Sequence, residues 1–455
     1  MLDRTGPDAR PKAGERTHAN APLQSGDAAR ADDALLDRLQ RKAFDYFVRN
    51  TNPQNGLVAD TTRAESPSSI AVVGFALSAY PVGVERGWIA RDDAVARTLA
   101  ALRFFNASDQ SGTPQATGHR GFYYHFLDMQ SGTRVWHSEV SLIDTGFLIA
   151  GMLTAATYFD AASADEIELR RLADCLYKQV DWRWAQRDGS AVTHGWKPEC
   201  GFLNYGWEGY SEALLLYMLG LGSPTHPLTA ESYPAWTVTY QWENLYGHDF
   251  LYAGPLFIHQ YSHAWIDFRG IRDPFMREKN CDYFENSRRA TYVQREYATR
   301  NPHSFAGYGP DCWGVSAGDG PSAEPRLVAG RRQVFFGYTA RGVPYGPDDG
   351  TISGSAMLSS LVFAPEIALP ALRGLTTRAG ADPDELLRAS GFNPTLGEDG
   401  PSGWVSEGTF GLDQGMIVLM IENYRSGLLW RLGRSKRWIR AGLDRAGFRG
   451  GWLQR

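Results

Sequence analysis

The sequence has only four cysteines in 455 residues, and they form neither a C-x-x-C pair nor a spacing typical of zinc sites. We therefore expect free buried thiols at Cys175, Cys200, Cys281 and Cys312. The longest uncharged apolar run, residues 145–159, is too short to span a membrane. The beginning of the chain lacks the apolar centre of a signal peptide. This predicts a cytoplasmic protein as written, or a periplasmic one if the true N-terminus carries an export signal.

A large charge of one sign is also absent. The net charge of −5 argues against a nucleic-acid partner and gives no general attraction to a membrane. The sequence contains no G-x-S-x-G elbow, no Walker loop and no dinucleotide fingerprint. The glycine-rich stretch 307–321 follows no predicted strand, so we do not expect it to bind phosphate. We expect a monomer that needs neither a metal nor an organic cofactor.

Aromatic residues, in contrast, are abundant, and they make up 13% of the chain with 14 tryptophans. Residues 196–210 are dense in Trp, Tyr and Gly, and they lead to Glu212 on the first turn of an apolar helix. Flat rings can stack on the C–H faces of sugars, and a half-desolvated carboxyl can hold or deliver a proton. The alternative is that Glu212 only complements the helix N-terminus and that the rings form core.

Apolar periodicity predicts about a dozen helices, alternately apolar all round and amphipathic, without a comparable set of strands. Residues 1–31 contain almost nothing apolar and are predicted to be a disordered tail, and residues 32–455 to be one domain. A double ring explains the alternation, because inner helices are covered on every side. We therefore predict an all-α fold, an (α/α)6 barrel. The predicted helices span residues 33–47, 70–80, 91–105, 138–159, 163–180, 211–221, 249–265, 282–298, 352–363, 365–378, 412–430 and 436–446.

The segments between these helices are long and rich in glycine and aromatic residues, notably 118–136, 181–209, 301–350 and 393–409. Loops of this length often carry function, and here they would build one mouth at the end of the barrel.

Acidic residues fall where these loops meet helices. Singly, each is explained by helix capping, but together they would surround one cavity with carboxylates. Hydrolysis of a glycosidic bond needs two carboxyl groups, one as acid and one as base or nucleophile. Tyr205, Trp207 and Tyr210 could supply the apolar walls that keep a proton on Glu212. The six acids are Glu139, Asp144, Glu212, Asp249, Asp311 and Asp413.

His259 and His263 have the i, i+4 spacing of a metal pair, but the glutamate of the H-E-x-x-H motif is missing. We favour hydrogen bonding to substrate or to the core over metal binding. Asp267 and Arg269 follow closely and could form a pair that braces the wall.

Several segments together resemble the bacterial glucoamylase-like family, which includes the endo-β-1,2-glucanases of glycoside hydrolase family 144. The resemblance extends over residues 33–433 and implies an (α/α)6 barrel that cleaves β-1,2-glucan with inversion and without a metal. A related domain in cyclic β-1,2-glucan synthases performs transglycosylation with retention. The matching segments are residues 136–145, 194–199, 209–212, 221–227, 256–269, 282–291 and 412–424.

The resemblance also implies roles for single residues. Glu212 matches the family's essential glutamate, the expected proton donor, and Glu139 and Asp144 rank ahead of Asp413 as the base. The stretches 350–356 and 406–409 depart from the family pattern, which leaves linkage and chain-length preference open. The candidate substrate-binding residues are Trp136, His137, Trp196, Tyr205, Trp207, His259, His263, Asp267, Arg269, Trp313, Asp319, Trp404 and Asp413.

Other functions fit the same residues. The chain could be an exo-acting sophorosidase or a transglycosylase, or a glucan-binding paralogue without activity. A polysaccharide lyase on the same barrel is disfavoured, because an acid-rich mouth would repel uronate carboxylates.

Overall fold

The computed structural model describes residues 25–328, 330–377, 382–397 and 403–454. Over these ranges the chain forms fifteen α-helices and several short 3-10 turns. None of the described helices combines the length and apolar character that crossing a bilayer requires. The helices are α1 (Ser25–Arg49), α2 (Ile70–Glu85), α3 (Arg91–Ala107), α4 (Leu142–Tyr158), α5 (Ala164–Gln179), α6 (Leu214–Gly222), α7 (Ser232–Thr237), α8 (Pro274–Glu278), α9 (Tyr283–Arg300), α10 (Gly354–Ser359), α11 (Pro365–Thr376), α12 (Pro383–Arg388), α13 (Gly411–Arg425), α14 (Leu428–Ser435) and α15 (Arg437–Arg445).

The strands of the described ranges are two to four residues long, and they decorate the loops without closing into a barrel. The largest sheet is antiparallel, with the order β2-β3-β5-β6-β7. The strands are β1 (Ser68–Ser69), β2 (Gly118–His119), β3 (Phe122–Tyr124), β4 (Phe126–Leu127), β5 (Val140–Ser141), β6 (Gly195–Lys197), β7 (Gly201–Phe202), β8 (Trp242–Leu245), β9 (His248–Leu251), β10 (Ala317–Gly318), β11 (Pro325–Val328), β12 (Arg331–Val334), β13 (Thr339–Ala340), β14 (Phe392–Asn393) and β15 (Trp404–Val405).

The predicted (α/α)6 barrel is confirmed. Helices α2, α4, α6 and α13 are buried along nearly their whole length, whereas α5 and α9 bury one face and expose the other. Inner helices α2 and α4 pack backbone against backbone. A Cβ at Gly74 would lie 2.3 Å from the carbonyl oxygen of Phe147, and one at Gly151 would lie 2.1 Å from that of Gly74. This close approach fixes the start of α4 and the loop in front of it.

The helix predicted for residues 249–265 is wrong. The segment begins in β9, and after Gly254 and Pro255 it forms two 3-10 turns, Leu256–His259 and Tyr261–Ala264. Proline favours the first position of a helical turn and cannot continue one from the preceding residues, so the chain changes direction there. The second turn packs against α13 in the inner ring.

Several predicted boundaries also need correction. Helix α1 begins at Ser25, so residues 25–31 of the predicted tail are helical, while residues 1–24 lie outside the described residues. The helix predicted from residue 138 begins at Leu142, and the one predicted from residue 211 begins at Leu214. Arg378, the predicted end of another helix, also lies outside the described residues. The assignment of residues 32–455 to one domain stays a prediction.

The cysteines are free, as predicted, but they are not all buried. Cys281 and Cys312 are buried, whereas Cys175 is half-buried and Cys200 is exposed. Cys200 lies in the turn between β6 and β7, where a short hairpin leaves its outer side open to solvent.

Candidate active site

Glu212 lies in the turn that leads into α6, and a serine from another segment fixes that turn. The hydroxyl of Ser262 donates a hydrogen bond to the carbonyl oxygen of Glu212 at 3.0 Å and accepts one from the backbone N–H of Leu215 at 3.0 Å. It therefore satisfies one orphan donor of the helix, in the absence of a side-chain N-cap from Ala213. The Glu212 side chain is left free to face the interior of the barrel mouth.

That side chain faces a cavity of about 310 Å³. Pockets that bind small molecules measure roughly 300–1,000 Å³, so the volume fits part of an oligosaccharide. Asp144 and Asp413 line the same cavity. Its aromatic walls are Phe147, Phe257, Tyr261, Tyr338 and Phe410.

The walls differ from those predicted. Of the described residues, Tyr205, Trp207 and Tyr210 do not line this cavity. Trp207 instead stacks on His194, and Tyr210 packs on Tyr283. The rings that line the cavity with Glu212 include Phe147 on α4, Phe257 in the 3-10 turn Leu256–His259 and Tyr261 in the next 3-10 turn. Phe147 and Phe257 both contact Tyr261.

Burial changes the acidity of Glu212. Desolvation raises the pKa of its carboxyl to about 7, and the nearby charge of Asp144 adds to the increase. The bond from its own backbone N–H opposes this shift without cancelling it. Glu212 therefore holds a proton near neutral pH, which is the state that a general acid needs.

Asp144 lies in the first turn of α4, where Ser141 is the N-cap. The Ser141 hydroxyl accepts a hydrogen bond from the Asp144 backbone N–H at 3.3 Å and donates one to Asp144 Oδ2 at 2.5 Å. Oδ1 receives no hydrogen bond from the described side chains. The capping interaction thus fixes one oxygen of this carboxylate, and the other is open to the cavity.

Asp413 occupies the first turn of α13 and is 8% exposed. Burial raises its pKa to about 7, whereas hydrogen bonds from Ser355 and Ser390 act in the opposite direction. The Ser355 hydroxyl donates to Oδ1 at 2.5 Å. Asp413 is therefore partly protonated at neutral pH, and one of its oxygens is already engaged by Ser355.

Glu139 does not line the cavity but contacts a residue that does. Its Oε1 lies 3.0 Å from Nδ1 of His125, and the opposite ring nitrogen, Nε2, lies 3.5 Å from Asp144 Oδ2. Burial alone would raise the pKa of Glu139, but the hydrogen bond and charge of His125 lower it overall. Glu139 is therefore ionised at neutral pH.

Two further charged residues near the cavity were not predicted. Burial raises the pKa of Asp60 to about 6. The charge of His125 lowers this pKa, and the charge of Asp144 raises it. Arg63 forms an ion pair with Asp319 and lies over the ring of Phe410 at 5.0 Å. The predicted residue Asp319 is thus placed beside the cavity at β10, with its carboxylate engaged.

An exposed aromatic surface lies next to His125. Phe126 stacks on the His125 ring at 4.0 Å, and Trp136 packs on Phe126 at 5.0 Å. Trp136 is 66% exposed, and the side chain of His137 is 90% exposed. Both residues have positive φ angles, 56° and 48°, which are uncommon for residues other than glycine and are found often at functional sites. Tyr205 is also exposed.

Five of the predicted substrate-binding residues lie away from the cavity. His259 and His263 are each 1% exposed, and burial lowers their pKa values to about 4 and about 3. Their ring nitrogens bond to the carbonyl of Ala253 and to Ser287. They are neutral core histidines, which is one of the two roles that the sequence favoured over metal binding. Asp267 forms ion pairs with Arg269 and Arg434 and does not line the cavity. Trp313 is fully buried.

Other predicted residues lie in the loops around the mouth without reaching the cavity. Trp196 on β6 stacks on His119 at 4.7 Å, and Trp404 lies on β15. Asp249 and Asp311 are exposed to solvent and are remote from the other four acids. The six predicted acids therefore do not share one mouth, but Glu212, Asp144 and Asp413 share a cavity and Glu139 adjoins it.

Among the described residues, no group of three or more His, Cys, Asp or Glu side chains could hold a metal ion. Two of the carboxyl groups at the cavity, those of Asp144 and Glu139, have the His125 ring between them.

Sequence reasoning missed His125, Asp60 and Tyr338. His125 lies within the aromatic stretch 118–136 that was predicted to be functional, so its position in that loop was a usable signal. Its contacts depend on the pairing of β3 with β5, which the sequence does not reveal.

The fold and the cavity together define the class of protein: an (α/α)6 barrel with an acidic, aromatic-walled pocket. A family model described as "Putative glucoamylase" matches residues 204–437. A crystal structure described in the same words, from Bacteroides caccae, is 30% identical with a TM-score of 0.77, and the match covers 92% of this chain and 100% of that one. The chain belongs to this glucoamylase-like family, and the resemblance stated above is confirmed.

Two further relatives carry more specific names. The endo-β-1,2-glucanase from Chitinophaga pinensis, solved with sophorotriose and glucose, is 28% identical with a TM-score of 0.78 and covers 93% of this chain and 99% of its own. An exo-β-1,2-glucooligosaccharide sophorohydrolase from Parabacteroides distasonis is 27% identical over an alignment of 449 residues, covering 91% of this chain. This chain spans 58% of that relative's length.

Proposed function

We propose that this chain is a glycoside hydrolase that cleaves β-1,2-linked glucan, with Glu212 as the general acid. One observation carries the proposal: a carboxyl with a pKa of about 7 faces an aromatic-walled cavity that also contains Asp144 and Asp413. The names of the two relatives described above support the choice of β-1,2-glucan as substrate.

The proposed reaction needs one acid and one base. Glu212 donates its proton to the departing glycosidic oxygen, and a carboxylate on the other side of the sugar activates water, which inverts the anomeric centre. Asp144 is our choice for the base because one of its oxygens is open to the cavity. Glu139 is the alternative, although His125 separates it from the cavity. Asp413, which lines the cavity with one oxygen engaged by Ser355, would bind a sugar hydroxyl.

For the outer part of the substrate, we propose contacts with Trp136, His137 and Tyr205, because these side chains project from the mouth. Asp319 would act through Arg63 at the opposite rim. The burial of His259, His263 and Trp313 argues against substrate contacts for them.

An exo-acting release of short products is the second candidate. Arg63 joins three loops at one side of the cavity, through its ion pair with Asp319, a hydrogen bond to the Glu407 carbonyl at 3.0 Å and its contact with Phe410. A wall on that side would limit how many sugar units extend past the cleaved bond. The monomeric state and the cytoplasmic location stay predictions.

The test is incubation with β-1,2-, β-1,3-, β-1,4- and α-linked glucans, with reducing ends and product lengths measured. We expect release from β-1,2-glucan alone, and the product lengths distinguish endo from exo cleavage. Binding without release over a long incubation would support the non-catalytic paralogue and contradict the proposal.

A further inference from the structure

His125 is held rigidly at the edge of the cavity. It lies between β3 and β4, and its backbone N–H donates to the carbonyl of Glu139 at 2.9 Å. Its own carbonyl accepts from the N–H of Ile70, the first residue of α2, at 3.2 Å. The imidazole is therefore fixed between the sheet and the inner ring of helices.

Both nitrogens of the ring face carboxylate oxygens. Nδ1 lies 3.0 Å from Glu139 Oε1, and Nε2 lies 3.5 Å from Asp144 Oδ2. An ionised carboxylate only accepts hydrogen bonds, and a neutral imidazole has a single N–H. A hydrogen bond to Glu139 on one side and an ion-pair contact with Asp144 on the other are the surroundings that favour a doubly protonated imidazolium. The Phe126 ring, stacked at 4.0 Å, restricts rotation of the imidazole.

The surrounding charges favour the same state. Burial lowers the pKa of His125, but Asp144, Glu139 and Asp60 together raise it to about 9. These groups approach from the start of α4, from the residue before β5 and from the loop before β1. Two cations act on the partners of His125: Lys197 lowers the pKa of Glu139, and Arg63 lowers the pKa of Asp60.

We propose that His125 is a positioning residue for the reaction, a fixed cation that keeps Asp144 ionised and directed into the cavity, with Glu139 holding the ring from behind. This inference rests on the hydrolase function proposed above. A base must be ionised, yet Asp144 is only 8% exposed, and both burial and ionised neighbours such as Glu139 favour the protonated form of a carboxyl. His125 offsets that effect at the one carboxylate that must remain charged.

Two variants test the proposal through the pH profile of kcat/KM on a β-1,2-glucan oligosaccharide. Loss of a cation within 4–6 Å raises a carboxyl pKa by about 1–3, so in His125→Gln the acidic limb should move to higher pH by that amount. Glu139→Gln keeps the ring beside Asp144 and should not move the limb upward. The proposal is overturned if the acidic limb of the kcat/KM profile does not move in His125→Gln, or if it moves to higher pH equally in both variants.

A second measurement does not depend on activity. In ¹⁵N NMR of the histidines, the His125 signal, assigned by its loss in His125→Gln, should show both nitrogens protonated at pH 7.5. In Asp144→Asn its titration should move to lower pH. A singly protonated ring in the wild type, or a titration unchanged by Asp144→Asn, contradicts the inference. If the wild type cleaves no glucan, the function fails while this measurement still decides the state of His125.

Discussion

The cavity and the buried histidine pair are two regions with strongly shifted ionisable groups, but they differ in what surrounds those groups. Glu212 and Asp413 line an open cavity. His259 and His263 are enclosed, and each has a ring nitrogen bonded to a neighbour in the core. A shifted pKa therefore marks burial in both places, and only access to a cavity distinguishes a reactive group from a structural one.

The two regions also respond to pH in opposite directions. The carboxyls of Glu212 and Asp413 have raised pKa values, so their favourable contribution is present at low pH and is lost as the pH rises towards 7. The histidines have lowered pKa values, so their contribution is present above the ordinary histidine pKa and is lost as the pH falls towards 4. Stability should therefore decline on both sides of a slightly acidic optimum.

The largest effect is expected from Glu212→Gln. Removing a general acid lowers the rate by about 10²–10⁴-fold, and reducing-end release from β-1,2-glucan should fall accordingly while the melting temperature is maintained. Glu208→Gln is the matched control, because Glu208 lies in the same loop but is exposed, and it should keep full activity. Full activity in Glu212→Gln would place the reactive acid elsewhere.

Asp267→Asn should affect stability and leave the reaction intact. Asp267 is buried and pairs with two arginines, so we expect a loss of about 3–5 kcal/mol in the free energy of unfolding, measured with urea. The kcat/KM of the folded protein should be unchanged, since the pair lies away from the cavity.

The control for this variant is Asp174→Asn, which breaks an exposed pair with Lys178 and should cost less than about 1 kcal/mol. A fall in kcat/KM of the folded Asp267→Asn protein would show that the ion pairs of Asp267 with the two arginines contribute to the active site and not only to stability.

Asp413→Asn should show the pH dependence of the cavity directly. The wild type must ionise a buried carboxyl above pH 7, whereas the variant has nothing to ionise. We therefore expect equal melting temperatures near pH 4 and a variant more stable by on the order of 1–3 kcal/mol at pH 8. A difference that does not change with pH would mean that Asp413 is ionised throughout.

The smallest effect is expected from Trp136→Gly. Loss of one stacked ring costs about 0.5–1.5 kcal/mol, so kcat/KM on long β-1,2-glucans should fall by about 2- to 10-fold, with less effect on short oligosaccharides. Because residue 136 has a φ of 56°, glycine should relieve backbone strain and keep or raise the melting temperature.

Arg187→Gly is the matched control, since Arg187 has a φ of 54° and is exposed away from the cavity. It should gain stability without any change in activity. An equal loss on long and short substrates in Trp136→Gly would contradict an outer subsite.

The sequence located the inner helices because their signal is local, although the single helix predicted for residues 412–430 divides at Gly427 into α13 and α14. Helices such as α4 and α13 are apolar on every face, and that pattern needs no knowledge of the rest of the chain. The segment 249–265 was mispredicted because its apolar residues also suit a helix, while Gly254 and Pro255 divide it into a strand and two 3-10 turns.

For the site, the sequence identified the acids but not their surroundings. Glu212, Asp144 and Asp413 each stand at a loop–helix junction, which is visible in the chain. The wall rings Phe147, Phe257 and Phe410 come from three distant segments and meet only in the folded barrel. Aromatic residues next to Glu212 in the sequence were therefore mistaken for its walls.

The most direct test is a crystal structure of the Glu212→Gln variant with a β-1,2-glucan oligosaccharide. We predict that a glycosidic oxygen lies within about 3 Å of the side chain at position 212, with a water or sugar hydroxyl at hydrogen-bond distance from Asp144. An oligosaccharide bound outside this cavity, or one whose glycosidic oxygens all lie far from position 212, would contradict the account.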